Sequence, residues 1–369
     1  MCRLLTILII IIVTFSCSKE ELPLSCTDEN PCESKSINVL NLVLGGEPIV
    51  LIYSEALAFY QSFSRRSENQ VELKFEAVQK SFPIIMKDQF GVFYDVFGEV
   101  AANPNFDSGL ETIHAGVGFW FVWSSIYPQL VFNDEAGDGE VLELNDSEWE
   151  VNTNYINQGA SLDAIPAINS PKFKPFTNKD IFTSSFLNDR DEIIVVKIGE
   201  TTKVYPIKIL NYHEIVNDTI NGFAYAVCYA PYTNTATVWE RTINNLTLEF
   251  GVSGRIYNNN ILLFDRTTTS FWNQLLEIAV NGPFQKTKIE RVSYLRTTWS
   301  TWRETANTHY ILIGEDNMGF DYSVDPLGDY STNQNYLPFP ISNDDDRLDS
   351  KDEVYGIEKN GEVFAFQFF

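Results

Sequence analysis

The chain repeats itself, and that repeat limits the possible folds more than any other feature. Gly46, Tyr53 and Arg65 recur as Gly222, Tyr229 and Arg241, each 176 positions further on. Phe75 recurs as Phe250 at 175, Asp88 as Asp265 at 177, and Glu99 and Ala101 as Glu277 and Ala279 at 178. The pair Trp120-x-x-Trp123 recurs as Trp299-x-x-Trp302 at 179. Matches in unbroken order, with an offset that drifts by single residues, are expected where strands align and loops differ in length. The pattern predicts two copies of one unit, over 46–132 and 222–313.

A weaker repeat joins the first. Glu192 to Tyr205 and Glu353 to Phe366 both read as a strand, a Gly turn and a returning strand. The second copy has this hairpin directly upstream. The first copy has none, and the spare hairpin follows at 353–369. Each copy needs a leading hairpin, and unpaired sheet edges are aggregation hazards, so the spare one is expected to pair with the first copy.

Strand signals dominate elsewhere. Pro48 to Tyr53, Phe223 to Tyr229, Ile261 to Phe264 and His309 to Ile313 are short, β-branched or aromatic, and bounded by turn residues. Asn221-Gly222 and Asn360-Gly361 are strong hairpin dipeptides. The W-x-x-W segments suit single helical turns. The expected fold is mainly β: two related antiparallel β units with few short helices. The expected divisions are a signal peptide over 1–16, a lipidated tether over 17–37, a first unit over 38–133 completed by 353–369, and a second unit over 149–352. The acidic stretch 134–148 reads as the linker.

The N-terminus carries a location signal. Arg3 precedes the apolar run Leu4 to Val13, which is shorter than the ~20 residues a membrane-spanning helix needs. The run ends in Thr14-Phe15-Ser16-Cys17, as a secretory signal ends in small residues. A cysteine at that place resembles a lipoprotein lipobox, in which Cys17 is acylated and becomes the new N-terminus. Ser18-Lys19-Glu20-Glu21 resembles the export signal of surface lipoproteins of the Bacteroidota. A plain secretory signal with an incidental cysteine is the alternative. The expected location is the outer membrane, lipid-anchored and facing outside.

Charge narrows the partners. The chain has 26 basic and 50 acidic residues, a net charge of −24, which repels phosphate backbones and excludes nucleic acid as a partner. Attachment to a membrane is therefore expected through lipid and not through a basic patch. Cys26 and Cys32 form a close pair that could close a disulfide loop in an oxidising compartment. Cys228 stands alone in an apolar run and reads as a small hydrophobe.

Residues 205–274 hold the side chains capable of chemistry: His213-Glu214-Ile215-Val216-Asn217-Asp218, then Tyr229-Ala230-Pro231-Tyr232, then Phe250-Gly251-Val252-Ser253-Gly254 with Asn258, then Asp265-Arg266 with Ser270, Trp272 and Gln274. These motifs resemble a bacterial family known as domain of unknown function 3179, over roughly 149–369. The family pattern has HEIVND, a YCP-type turn, FGVSG-x-x-YN-x-N and DR-x-T-x-S-x-W-x-Q. The resemblance implies a fold family and no reaction. This chain departs from the pattern at Ala230, where the family carries cysteine, and has Thr233 where some relatives carry a second one. Any thiolate chemistry the family uses is thus absent here.

Each candidate has a structural and a chemical reading. His213 beside Asp218 could serve as a general base or could be a satisfied buried histidine. With three histidines in the chain and no zincin spacing, no metal and no cofactor are expected. Ser253 lacks the elbow of a serine nucleophile. Arg266 could fork onto a carboxylate and Trp272 could offer a stacking face. Asp265 recurs as Asp88 and reads as a turn former, whereas Arg266 and Gln274 belong to the second copy alone. The acidic turn Asn343 to Asp349 could bind calcium, but lacks EF-hand spacing. The expected pocket gathers His213, Asp218, Ser253, Asn258, Asp265, Arg266, Trp272 and Gln274. It suits a small anionic or carbohydrate ligand. The expected function is a non-catalytic binding or envelope-structural lipoprotein; the alternative is a hydrolase using His213 and an acidic partner.

Overall fold

Tight turns set the register of the hairpins in the computed structural model, and longer-range pairings join these into sheets. The structure describes residues 36–101, 109–141, 143–177, 187–303, 305, 308–315 and 318–367. The expected signal peptide, the acylated Cys17 and the Cys26/Cys32 pair lie outside them. Asn221-Gly222 and Asn360-Gly361 adopt positive φ at both positions, as a hairpin turn matching the strand twist requires. Among the described residues, six small, mainly antiparallel sheets are arranged as a six-bladed, propeller-like ring, and Thr242–Ile243 with Leu246–Thr247 forms a further two-stranded hairpin. Three short α-helices occur among the described residues, Trp120–Ile126, Ile207–His213 and Trp299–Trp302.

The two copies build three blades each. In the first copy, Asn38–Leu44, Glu47–Ser54 and Phe59–Ser64 form one sheet, and Phe75–Ala77, Ile84–Asp88 and Phe93–Asp95 a second. In the second copy, Ile215–Ile220, Phe223–Ala230 and Thr235–Glu240 form one. Its next blade runs through Phe250–Tyr257, Asn260–Asp265, Phe271–Asn273 and Ile278–Asn281. The remaining blade of each copy is built around a leading hairpin. Glu192–Ile198 pairs antiparallel with Tyr294–Thr298, and Thr201–Pro206 runs parallel to Thr308–Ile313. The C-terminal hairpin does the same in the first copy: Glu353–Lys359 pairs antiparallel with His114–Phe119, and Glu362–Phe366 runs parallel to Val131–Phe132. Even the register repeats, since Glu192 faces Thr298 and Glu353 faces Phe119, two positions 179 residues apart.

The repeat extends to single hydrogen bonds. Buried Arg65 donates to the carbonyls of Ile49, Leu73 and Leu42. Buried Arg241 donates to those of Tyr225, Leu248 and Asp218, the positions equivalent to these three. Each guanidinium ties three chain segments together through their carbonyls. Asp88 caps its own turn through the Phe90 and Val92 amides and accepts from the Tyr94 hydroxyl at 3.1 Å. Asp265 likewise accepts from the Thr268 amide and from Trp272 Nε1 at 3.1 Å. The halves share a core in which Phe59 and Phe63 pack with Ile193, Val195, Leu295 and Trp299. One difference from the expected linker is local. Asn133 and Asp134 make a positive-φ turn, so the acidic stretch opens with a short strand, Glu135–Ala136, paired to Val131–Phe132.

Candidate functional site

The helix Ile207–His213 connects the leading hairpin of the second copy to its next blade, and it sets up the site. It ends abruptly at Glu214, which adopts φ 57° and ψ −36°. This region is costly for a residue with a side chain, by about 1–3 kcal/mol. The conformation is held from both sides. The Glu214 amide donates to the Leu210 carbonyl at 2.7 Å, and its carbonyl accepts from the Tyr229 amide at 2.7 Å. Ile215 then enters a strand at once, its carbonyl bonded to the Ile168 amide. The Glu214 residue is 8% exposed.

Glu214 lines a cavity of about 330 Å³. Its walls are mostly apolar: Ile215, Val252, Ile256 and Ile261 from the blades, Ile165 and Pro166 from the preceding segment, and Phe320, Leu327 and Phe339 from the covering loops. Tyr212, Tyr232, Asn211 and Arg255 add polar atoms. The Glu214 carboxyl makes no hydrogen bond or ion pair with any described residue. Burial alone raises its pKa from 4.5 to about 8, since nothing nearby compensates the ionised form. Burial and the nearby Glu214 carboxyl raise the pKa of Tyr232. Arg255 is turned to other company, its guanidinium 4.6 Å from the Phe271 ring centre and 5.5 Å from that of Trp149.

None of the eight candidates from the sequence lines this cavity; His213, Ser253 and Asn258 brace segments at its edge, and the others are engaged elsewhere. His213 is fully buried, with Nδ1 2.7 Å from the Pro166 carbonyl and Nε2 2.7 Å from the Tyr322 hydroxyl. Burial lowers its pKa, and the Pro166 hydrogen bond offsets this in part. It thereby fixes two cavity-lining segments to the helix end. Asp218 is in a separate cluster, accepting from Lys203 Nζ at 2.8 Å, the Tyr205 hydroxyl at 2.6 Å and the Tyr225 hydroxyl at 3.1 Å. Ser253 stabilises the bulge between Val252 and Arg255, donating to the Leu262 carbonyl and accepting from the Arg255 amide. Next to it, Gly254 has φ 71°, and a Cβ there would lie 2.1 Å from the Ala160 carbonyl oxygen. Only glycine lets the 159–160 segment close over the cavity edge.

Asn258 works on the cover. Its amide exchanges two hydrogen bonds with Ser342, at 2.9 and 2.8 Å, while Asn259 does the same with the Phe339 backbone. Lys351 holds the same cover from beneath, with Nζ donating to the Tyr330, Asn333 and Tyr336 carbonyls. Gln274 is fully buried and accepts from Thr235 and Asn260, joining the turn after Tyr229 to the next blade. Asp265 and Trp272 are bonded to each other. Arg266 forks onto Asp163 at 2.5 and 2.8 Å and reaches Glu249 at 2.9 Å. Cys228 is buried, with its thiol pKa raised by burial, inside an apolar cluster with Trp239 and Phe250.

Glu214 is not among the residues the sequence motifs single out. Its signal was present: a carboxylate between His213 and Ile215, in a stretch whose other members are apolar or paired. No group of three or more His, Cys, Asp or Glu among the described residues is placed to hold a metal ion. No helix among them is long and apolar enough to cross a membrane, which leaves strand-spanning modes unaddressed.

A family model described as protein of unknown function DUF3179 matches residues 162–368. No curated protein and no solved structure matches the chain. The match spans more than half of the sequence and takes in every motif around the cavity, and the chain belongs to this family.

Proposed function

We propose that this protein is a surface-exposed lipoprotein of the outer membrane that binds a small ligand without transforming it, and that the cavity beside Glu214 is the binding site. The observation that carries the binding role is the Glu214 carboxyl, buried in a mostly apolar cavity with no protein partner among the described residues. A buried polar group is normally satisfied. A buried acidic residue that opens onto a cavity, has no protein partner among the described residues and sits on a strained backbone is what a ligand site looks like. The anchor rests on the apolar run Leu4 to Val13 followed by Cys17, and one acyl chain would not suffice for stable attachment. The ligand expected from sequence, anionic or carbohydrate, would have leaned on Arg266. That guanidinium is already paired with Asp163 and Glu249, which moves the weight of the proposal to the cavity. The hydrolase reading has less support, because both ring nitrogens of His213 are engaged by protein groups.

Two measurements test this. Thermal-shift screening of amines, carboxylates and sugars should find stabilisation that Val252→Trp, which fills the cavity, abolishes. A wild-type protein that no class of compound stabilises would sink the binding role. Cys17→Ala should release the protein from the membrane fraction, and radiolabelled palmitate should be incorporated by the wild type only.

A further inference from the structure

We infer that the cavity selects a cationic ligand, an ammonium group carried on a compact apolar body, with Glu214 as its counter-ion; this rests on the cavity being the binding site. Three independent observations converge on it. The first is geometric. Glu214 is the acidic residue lining the cavity, is 8% exposed and has no partner among the described residues, so a carboxylate there lacks any counter-charge until a ligand brings one. The second is the wall chemistry. Tyr212, Tyr232, Phe320 and Phe339 present aromatic surface around it, and aromatic faces attract ammonium groups most strongly where water is excluded. The third is the field of the whole chain. A net charge of −24 concentrates cations at the surface and disfavours the approach of anions.

The other groups facing Glu214 do not oppose this. His213, on the same helix, turns both nitrogens to Pro166 and Tyr322. Tyr212 donates to the Asp321 and Val324 carbonyls, and Tyr232 is a neutral phenol. Arg255, on the facing strand, is the one cation of the cavity wall among the described residues, and its guanidinium stacks on Phe271 and Trp149. An apolar wall with a neutral Glu214 as a hydrogen-bond donor would instead take a carbonyl or carboxylate ligand. The two cases differ in the sign of their pH dependence. An ammonium ligand binds the ionised carboxyl, whose fraction grows about tenfold per pH unit below its pKa of about 8. A ligand that accepts a hydrogen bond from the neutral acid loses affinity over the same range.

The probes are 2-phenylethylamine, 2-phenylethanol and phenylacetate, titrated calorimetrically into purified full-length protein at pH 6, 7, 8 and 9. The amine should bind tightest of the three, with an affinity rising at least tenfold from pH 6 to pH 8. Glu214→Gln should reduce amine binding at pH 8 at least tenfold while leaving binding of the alcohol within a factor of about three. Val252→Trp should abolish all binding. Phenylacetate or the alcohol binding tighter than the amine, with displacement by Val252→Trp, would overturn the cationic ligand while keeping the cavity as a site. Amine binding that is flat with pH, or indifferent to Glu214→Gln, would overturn it equally. Absence of binding by all three would overturn both readings.

Discussion

The two halves of the ring are built alike and equipped differently. Arg65 and Arg241 clamp equivalent carbonyls, Asp88 and Asp265 cap equivalent turns, and both W-x-x-W helices follow equivalent strands. What the second half adds is the helix Ile207–His213, which connects its leading hairpin to its next blade. In the first half that hairpin comes from the C-terminus, so the connection does not exist. Glu214 and its cavity occupy the added connection. The repeat therefore accounts for the scaffold, and the candidate site lies where the repeat is broken.

The severest way to break the comparison is to remove the C-terminal hairpin. Truncation after Asp352 deprives His114–Phe119 and Val131–Phe132 of their partners and removes Val354, Ile357 and Val363 from the core. Loss of cooperative unfolding is expected, measured by circular dichroism against urea. A truncated chain with the full transition would mean that the first half closes without it.

The two arginines give a matched pair. Arg65→Leu and Arg241→Leu each strand three backbone carbonyls in the core, at a cost of about 3 kcal/mol or more apiece. Chemical denaturation of both variants should return similar losses. A cost confined to one of them would show that the halves are alike in outline only.

Glu214 gives the second half a pH-dependent contribution, and burial raises the Glu353 carboxyl of the first half in the same direction. The folded pKa of Glu214, about 8, lies above the ordinary 4.5, so between these values the folded state holds a proton that the unfolded state has released. Stability from this group is therefore greatest below about pH 4.5 and falls as pH rises through about 8, by about 1.4 kcal/mol per unit at most. Denaturation profiles from pH 5 to 8 should differ between wild type and Glu214→Gln by this slope, the variant losing less stability as pH rises. An unchanged slope in the variant would remove Glu214 as its source.

The smallest effects sharpen the picture at the turns. Tyr94→Phe deletes one hydrogen bond to Asp88 and should cost about 1–2 kcal/mol. Arg266→Ala removes a half-exposed pair with Asp163 and Glu249, and the midpoint of unfolding should move by less than about 1 kcal/mol. A large loss on Arg266→Ala would show that the pair has a structural role the first half manages without, since Gln89 stands there.

Much of the scaffold is legible in the sequence. Asn-Gly turns, β-branched runs and the drifting offset are local signals, and local signals survive in one dimension. Asp265 was legible as a turn former because Asp88 repeats it. The grouping of His213, Asp218, Ser253, Asn258, Arg266 and Gln274 into one pocket was not legible in the same way. Nearness in a motif-rich stretch does not say which way each side chain points: His213 faces Pro166, Asp218 faces Lys203, and Asn258 faces Ser342. Most of these polar groups satisfy one another across blades and hold the cavity's frame.

The sequence by itself determined the two copies, their strands and turns, the buried character of Cys228 and the acidic surface, because propensity, periodicity and charge are properties of neighbouring residues. The sequence also assigned the C-terminal hairpin to the first half; only the tertiary structure decided that the ring holds six blades, in which register that hairpin pairs, and that Glu214 is buried without a partner among the described residues. Burial and electrostatic compensation depend on which distant segments arrive around a group. For Glu214 those are 159–168, the turn after Tyr229 and the cover at 320–339, and no one-dimensional pattern brings them together.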